Sequence, residues 1–110
     1  MSNGAYGLIE VSGVTAAVDS LDAMCKAANV KLITWERKLG GRLVTIIIEG
    51  AVSDVTAAVA AADAACKREG LIMACSGVIA NPSDEIRRIA ELSAQRVQQS
   101  GLTIAQMLGY

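Results

Sequence analysis

The chain has 110 residues, 53% of them hydrophobic, and its ten basic and eleven acidic residues give a net charge of -1 with no histidine. This length fits one domain, and the lack of a basic block argues against a nucleic-acid partner. No apolar run reaches the roughly 18 to 20 residues that cross a bilayer, and no signal-peptide pattern occurs, so we expect a cytoplasmic protein without a membrane partner. A small domain with so many hydrophobic residues also predicts an oligomer, because a single core cannot bury all of its apolar surface.

The first predicted elements, in chain order, are a strand and a helix. The strand is the apolar segment AYGLIEV at residues 5–11. Ser12 and Gly13 start the helix, and Asn29 ends it in the left-handed conformation. Asp22 and Lys26 are expected to form an i,i+4 ion pair on its surface. Apolar residues at helical spacing predict an inward face made of Val14, Ala17, Val18, Leu21, Cys25 and Ala28.

Two strands joined by a tight turn come next. The segments VKLITWERK at residues 30–38 and RLVTIIIEG at residues 42–50 are rich in β-branched and aromatic side chains, which are typical of strands. Between them, Gly40 and Gly41 supply the positive φ that a hairpin turn needs. We therefore expect an antiparallel pair of strands here.

A second helix and a fourth strand follow the hairpin. Ser53 or Asp54 is the predicted cap of the helix, and Gly70 is its predicted end. The segment LIMACSGVI at residues 71–79 is the last predicted strand. The inward face of the second helix is predicted to be Val55, Ala58, Val59, Ala62 and Cys66.

An internal repeat relates the two helices. When residues 14–32 and 55–73 are aligned without a gap, 9 of 19 positions are identical, as the segments VTAAVDSLDAMCK and VTAAVAAADAACK illustrate. Two similar β-α-β halves predict a ferredoxin-like β-α-β-β-α-β sandwich. The expected fold is therefore α+β, with a four-stranded antiparallel sheet, the repeated helices on one face, and a C-terminal helical extension.

The segment after the last strand belongs to neither half. Pro82 ends the strand, Ser83 is a plausible helix cap, and Asp84 and Glu85 suit the positive end of a helix dipole. We expect either a partly ordered amphipathic helix that covers one face of an assembly or docks cargo, or a loosely attached terminus. The predicted apolar stripe comprises Ile86, Ile89, Ala90, Ala94 and Val97.

No group of side chains in the sequence resembles an assembled active site. Without histidine, a serine or cysteine nucleophile lacks its usual base, so we expect no catalysis and no cofactor. The cysteines form no C-x-x-C pair, which disfavours metal and disulfide sites, and free cysteine usually behaves as a small hydrophobe. We therefore place all three in the core: Cys25, Cys66 and Cys75.

The hairpin turn RKLGGR is the segment whose charge suggests a role. Arg37, Lys38 and Arg42 bracket the two glycines, which in a monomer is an ordinary solvated turn. Around a symmetry axis, the same turns form a ring of cations. The repulsion is only ~0.5 kcal/mol per adjacent pair at ~8 Å in water, and bound anions or the carboxylates of Glu36 and Glu49 can offset it.

The segments GLIEVSG, DAMCKAANV and LVTIIIEG, in this order and spacing, resemble the BMC domain of bacterial microcompartment shell proteins. The likeness covers Ala5 to about Ile86. It implies a structural protein that forms flat cyclic homohexamers, which tile with neighbouring hexamers and other shell proteins around encapsulated enzymes. It divides the chain into a BMC domain at residues 1–86 and a helical extension at residues 87–110.

The resemblance also implies which residues face a pore and which face a hexamer edge. The hairpin turn would encircle a sixfold pore for small polar or anionic metabolites, with a lining of Lys38, Leu39, Gly40, Gly41 and Arg42. The edge where neighbouring hexamers meet would include Lys26, Asn29, Asn81 and Pro82.

Two departures from the family pattern bear on these expectations. Asn81 stands where similar members carry an arginine before the proline, and asparagine cannot fork into a neighbour's backbone carbonyls, which predicts weaker adhesion between hexamers. Arg42 stands where the family generally has a small residue, which predicts a narrower pore that favours anions. The rival function is a regulatory small-molecule-binding module, because the ferredoxin-like fold also serves sensors of amino acids and nucleotides.

Overall fold

The computed structural model describes residues 4–38, 40 and 42–99, with the backbone alone at 98 and 99. The elements are β1 (Ala5–Val11), α1 (Val14–Ala27), β2 (Lys31–Lys38), β3 (Leu43–Gly50), α2 (Val52–Glu69), β4 (Met73–Ala80) and α3 (Asp84–Gln99). Strand β1 pairs with β3 and β4, and β3 also pairs with β2, all antiparallel, in the order β2-β3-β1-β4. The predicted ferredoxin-like α+β fold is thereby confirmed.

The hydrophobic core lies between one face of the sheet and the helices α1 and α2. The alanine-rich α2 packs on β1, β3, β4 and α1, and all five residues of its predicted inward face are buried. It packs tightly at Gly7, where an added Cβ would lie 2.7 Å from Val55 Cγ1. Alternate strand residues face these helices, because side chains alternate across a strand, and they include Ile9, Val11, Val44, Ile46 and Ile48.

The predicted inward face of α1 is only partly correct. Ala17 is buried and Val14, Leu21 and Ala28 pack against the core, whereas Cys25 is exposed. The helix also buries Ala16, Ser20 and Met24. At Ser20 a small side chain lets α1 approach α2 closely, so that the Ser20 Oγ lies 3.3 Å from the Cys66 Sγ. Since α1 rests on α2 as well as on β3, its buried stripe turns toward its neighbouring helix, which hydropathy alone does not indicate.

Neither Ser53 nor Asp54 caps α2, contrary to the prediction. The residue before its first turn is Ala51, which makes no side-chain cap bond. Asp54 accepts a hydrogen bond from the backbone N–H of Asn29 at 3.4 Å instead, so this carboxylate joins the end of one helix to the start of the other. At its far end α2 stops at Gly70, which is left-handed with φ 69° as predicted.

Helix α3 lies on the face of the sheet opposite α1 and α2. Trp35 of β2 pairs with Ile46 on the core side, so the adjacent Thr34 faces the other way. The Thr34 hydroxyl lies 3.0 Å from the Ser93 Oγ of α3, and both side chains are buried. The sheet therefore has helices on both faces, α1 and α2 on one side and α3 on the other.

The start of α3 is as predicted, and its apolar stripe is partly so. Ser83 Oγ accepts a hydrogen bond from the backbone N–H of Ile86 at 3.3 Å, which confirms the cap. Ala90 is buried and Val97 is partly buried, whereas Ile89 is 58% exposed. The helix turns small residues toward the sheet and leaves larger apolar side chains outside.

Candidate functional site

The hairpin turn between β2 and β3 brings its described cations to one end of the sheet. Gly40 has φ 68°, as predicted for the turn, while the predicted pore residues Leu39 and Gly41 lie outside the described residues. The side chains of Lys38 and Arg42 are exposed. The Arg42 carbonyl accepts a hydrogen bond from the Gly13 backbone N–H at 3.1 Å, which ties the turn to the start of α1.

Glu10 is a member of this site that the sequence reasoning missed. Its Oε2 lies 3.7 Å from the Lys38 Nζ and accepts a hydrogen bond from the Thr45 hydroxyl at 3.0 Å. The signal was available, because Glu10 is the single charged residue of strand β1 and lies at a position that alternation turns away from the core. Part of the positive charge at the turn is therefore balanced from within the protomer.

The carboxylates that we expected to offset the turn cations have other partners. Glu36 Oε1 lies 3.1 Å from the Arg96 Nη2 on α3, and Glu49 Oε1 lies 3.9 Å from the Lys31 Nζ at the opposite end of the sheet. The expectation for Glu36 and Glu49 is therefore wrong. Glu36 attaches α3 to β2 instead.

The predicted edge residues lie at the other end of the sheet from the turn. Lys26, at the end of α1, pairs with Asp22 at 2.9 Å as predicted. Asn29 shares a groove with Gly4, and the Gly4 carbonyl accepts a hydrogen bond from the Asn81 backbone N–H at 3.0 Å. The turn and these residues are thus separated by the length of the strands, roughly 20 Å.

Asn81, not Asn29, is the left-handed asparagine. Its φ is 49°, the one positive φ among the described residues other than glycine, whereas α1 ends in the extended Ala28. The neighbouring Pro82 is buried, and its carbonyl accepts a hydrogen bond from the Arg87 Nε at 3.2 Å. Asparagine tolerates this conformation better than most residues, so the backbone itself favours it at position 81.

The three cysteines differ in burial. Only Cys66 is buried, while Cys25 and Cys75 are exposed, so the predicted core placement is wrong for two of the three. Cys75 pairs with Glu10, so its side chain lies on the face of the sheet that is turned away from α1 and α2. No group of three potential metal ligands occurs within residues 4–38 and 42–99, and none of the helices described there is long and apolar enough to cross a membrane.

Large apolar side chains remain exposed on and around β4. Ile72, which precedes this edge strand, is 65% exposed, and the strand itself exposes Val78 at 38% and Ile79 at 42%. At the start of α2, Val52 is 42% exposed. A protomer that leaves this much apolar surface in water is suited to contact with other chains.

Comparison with known proteins decides the family. Residues 5–82 match the family model of the BMC domain. The chain belongs to the BMC-domain family. Among its relatives, the bacterial microcompartment shell protein PduA of Citrobacter freundii is 42% identical over 81% of this chain and 94% of that protein. The carboxysome shell protein CcmK2 of Thermosynechococcus vestitus is 41% identical over 77% of this chain and 83% of that protein.

A solved structure supports the BMC-domain fold independently. A microcompartments protein from Desulfitobacterium hafniense aligns with a TM-score of 0.70 and 22% identity, over 84% of this chain and 49% of that chain. The prediction of a microcompartment shell protein with a BMC domain is confirmed by these matches. The family match ends at Pro82, so α3 lies outside it.

Proposed function

We propose that this shell protein forms a flat cyclic homohexamer that tiles with neighbouring hexamers and other shell proteins around encapsulated enzymes in the cytoplasm, without catalysing a reaction itself. The observation that carries this proposal is the exposed apolar surface around β4 in a member of a shell-protein family. Such surface is stabilised by contact with further copies, because burying it removes apolar area from water.

The turn of residues 38–42 is the proposed pore lining: Lys38, Leu39, Gly40, Gly41 and Arg42. In support, Lys38 and Arg42 are exposed at one end of the sheet, and the proposed edge residues lie at the other end. A protomer with this arrangement can place its turn on a sixfold axis and its edge at the rim. The cations would favour passage of small anionic metabolites, with the Arg42 guanidinium groups narrowing the opening.

The proposed hexamer edge comprises Lys26, Asn29, Asn81 and Pro82. Lys26 and Asn29 are exposed near the end of α1, and Asn81 is exposed beside Gly4. Because Pro82 is buried in the protomer, its contribution is to fix the backbone that presents Asn81. Asparagine at this position offers fewer directed donors than arginine, so adhesion between hexamers would be modest.

Native mass spectrometry and electron microscopy of the purified full chain test the ring. We expect a species of six times the 11.4 kDa chain mass and ring-shaped particles or sheets. The Ile72→Asp variant should lose the six-subunit species. Because Ile72 is exposed in the protomer, circular dichroism of this variant should still show a folded monomer. Ile89→Asp, equally exposed but outside the family match, should keep the six-subunit species. A monodisperse wild-type monomer at high concentration, or a dimer whose melting responds to a small ligand, would contradict the proposal.

The pore is tested separately with Arg42→Ala. Bromide density on the sixfold axis of crystals soaked in bromide should fall in this variant, because six guanidinium groups are removed from the axis. Arg88→Ala, an exposed change on α3, is the matched control and should leave the density unchanged. Equal axial bromide density in the wild type and in Arg42→Ala would contradict the proposal that this turn lines the pore.

A further inference from the structure

Helix α3 carries a row of exposed side chains beside those that are buried against the sheet. The row consists of Glu85, Ile89, Leu92 and Arg96, whose spacing of four, three and four residues places them along one stripe of a helix. Ile89 is 58% and Leu92 is 52% exposed. The residues of α3 that are buried against the sheet include Ala90 and Ser93, so the row lies beside the buried side of the helix, and its Arg96 reaches the sheet through Glu36.

The row is complementary to the same row of a second copy that runs in the opposite direction. If two copies of α3 are placed side by side in opposite directions, with a twofold axis level with the peptide between residues 90 and 91, Ile89 of each copy lies opposite Leu92 of the other. The same axis puts Glu85 of each copy opposite Arg96 of the other. A twofold contact requires this kind of self-complementary surface, and the two charge pairs close both ends of a short apolar seam.

The charged side chains at the two ends of the row can form ion pairs with a second copy. Glu85 makes no ion pair or side-chain hydrogen bond with the described residues. Arg96 contacts Glu36 through Nη2 alone at 3.1 Å, so its guanidinium has further N–H groups to donate. The Glu36 contact also orients the Arg96 side chain, which lowers the entropy lost when it binds a second carboxylate.

The helix itself is a firm support for such a contact. It is attached to the sheet by the buried Thr34–Ser93 hydroxyl pair and by the Arg96–Glu36 ion pair. A shallow groove lined by Ile89, Leu92, Gln95 and Arg96 runs beside the row. Protruding apolar side chains next to a groove are what knob-into-hole packing between two helices requires.

We infer that this row pairs α3 with α3 of a second copy in antiparallel orientation. The seam from residue 85 to residue 96 is only ~16 Å long, so one pair buries far less than the roughly 1,200 Å² of a stable interface. Copies already joined in the ring proposed above, on which this step rests, present several such helices together. Their combined contacts stabilise a face-to-face stack of two rings by effective concentration.

Charge exchange tests the pairing directly in the full chain. Glu85→Arg and Arg96→Glu each place like charges opposite one another, so each should raise the concentration midpoint for doubling of the assembly mass by about tenfold or more, since several contacts change at once. The double variant exchanges the two charges and should restore the wild-type midpoint. Because it still lacks the Arg96–Glu36 ion pair, this recovery cannot come from within one chain.

Glu91→Lys, an exposed change on the same helix but at least about 100° around it from every member of the row, is the control and should match the wild type in sedimentation velocity. Identical masses for the wild type and both single variants overturn the pairing, even where a six-subunit species persists and the ring stands. If the wild type forms no ring, a dimer lost in the single variants and recovered in the double variant still supports the pairing. Protection of Leu92 from hydroxyl-radical footprinting in unpaired rings would identify residues 100–110 or another protein as the occupant and overturn it.

Discussion

The two repeated helices make the same local contact but differ in their surroundings. In α1, Asp22 and Lys26 form an ion pair of 2.9 Å, and in α2, Asp63 and Lys67 form one of the same length. Residues four apart on a helix lie side by side whatever the helix packs against. A duplicated sequence therefore reproduces its contacts over one helical turn in both halves of the molecule.

Corresponding residues of the two repeated helices differ in burial. The cysteine that precedes each of those lysines is exposed in α1, as Cys25, and buried in α2, as Cys66. Helix α2 lies over three strands, whereas α1 lies against α2 and β3. The comparison teaches that the sequence of a repeat determines local structure, while the number of neighbours determines which side chains are removed from water.

The largest expected effect concerns the close approach of α2 to β1. In Gly7→Ala the new methyl group would lie 2.7 Å from Val55 Cγ1 and 3.0 Å from Ile48 Cγ1, so we expect a loss of about 1–3 kcal/mol in the free energy of unfolding. Urea denaturation measures it. Gly77→Ala on β4, where nothing lies within 4 Å, is the control and should change stability by less than about 0.5 kcal/mol. Equal losses of unfolding free energy in Gly7→Ala and Gly77→Ala would show that α2 moves away from β1 and makes room for the methyl group.

The ends of the two helices give the next effect. Gly70 ends α2 at φ 69° with open space around it, so Gly70→Ala should cost about 1–2 kcal/mol through backbone strain alone. Asn29→Ala, just after α1, should cost under about 0.5 kcal/mol, because Asn29 is not left-handed. Thermal melting of both variants under the same conditions compares them. A larger loss for Asn29→Ala would show that the helix ends are not distinguished by backbone conformation.

The cysteines test burial itself. Cys66→Ala should lower the free energy of unfolding by about 1 kcal/mol, since it removes a buried sulfur and leaves a small cavity. The matched change Cys25→Ala should leave it within about 0.5 kcal/mol of the wild type. Thiol-labelling rates of the unassembled protomer provide a second readout, with Cys25 reacting in the native state and Cys66 only on unfolding. Rapid native labelling of Cys66 would contradict its burial.

The smallest effect is expected for the ion pairs that the two helices share. Asp22→Asn and Asp63→Asn should each cost about 0.2–0.5 kcal/mol, because both pairs are largely exposed and four residues apart. High salt should reduce both losses alike. A loss confined to one helix, measured by urea denaturation at low salt, would show that the repeat does not conserve this contact.

The sequence alone predicted the elements of the fold well, because their patterns are local. The segment AYGLIEV has the bounds of β1, and the double-glycine turn lies between β2 and β3. The inward face of α2 was correct since that helix is covered along one clear stripe. The exposure of Cys25 in α1 and the missing side-chain cap at Ala51 were not predictable, because both depend on how the helices meet one another.

The candidate site was predicted less completely. The turn cations and the edge residues were identified by resemblance, and they remain proposals. Glu10 was missed because its role depends on a partner, Lys38, that lies 28 residues away and is brought near only by the sheet. The placement of α3 against Thr34 was likewise hidden, since one buried hydroxyl pair gives no signal in a sequence.

The attachment of α3 has a consequence for how such proteins diversify. The helix begins after the segment that matches the BMC family, and its polar links to the sheet are side-chain contacts, which include two to β2 and that of Arg87 to the Tyr6 ring on β1. Mutations, insertions or truncations there can accumulate without altering the residues of the repeat. A gene lineage can therefore give copies of one shell protein different recognition properties while the BMC domain stays the same.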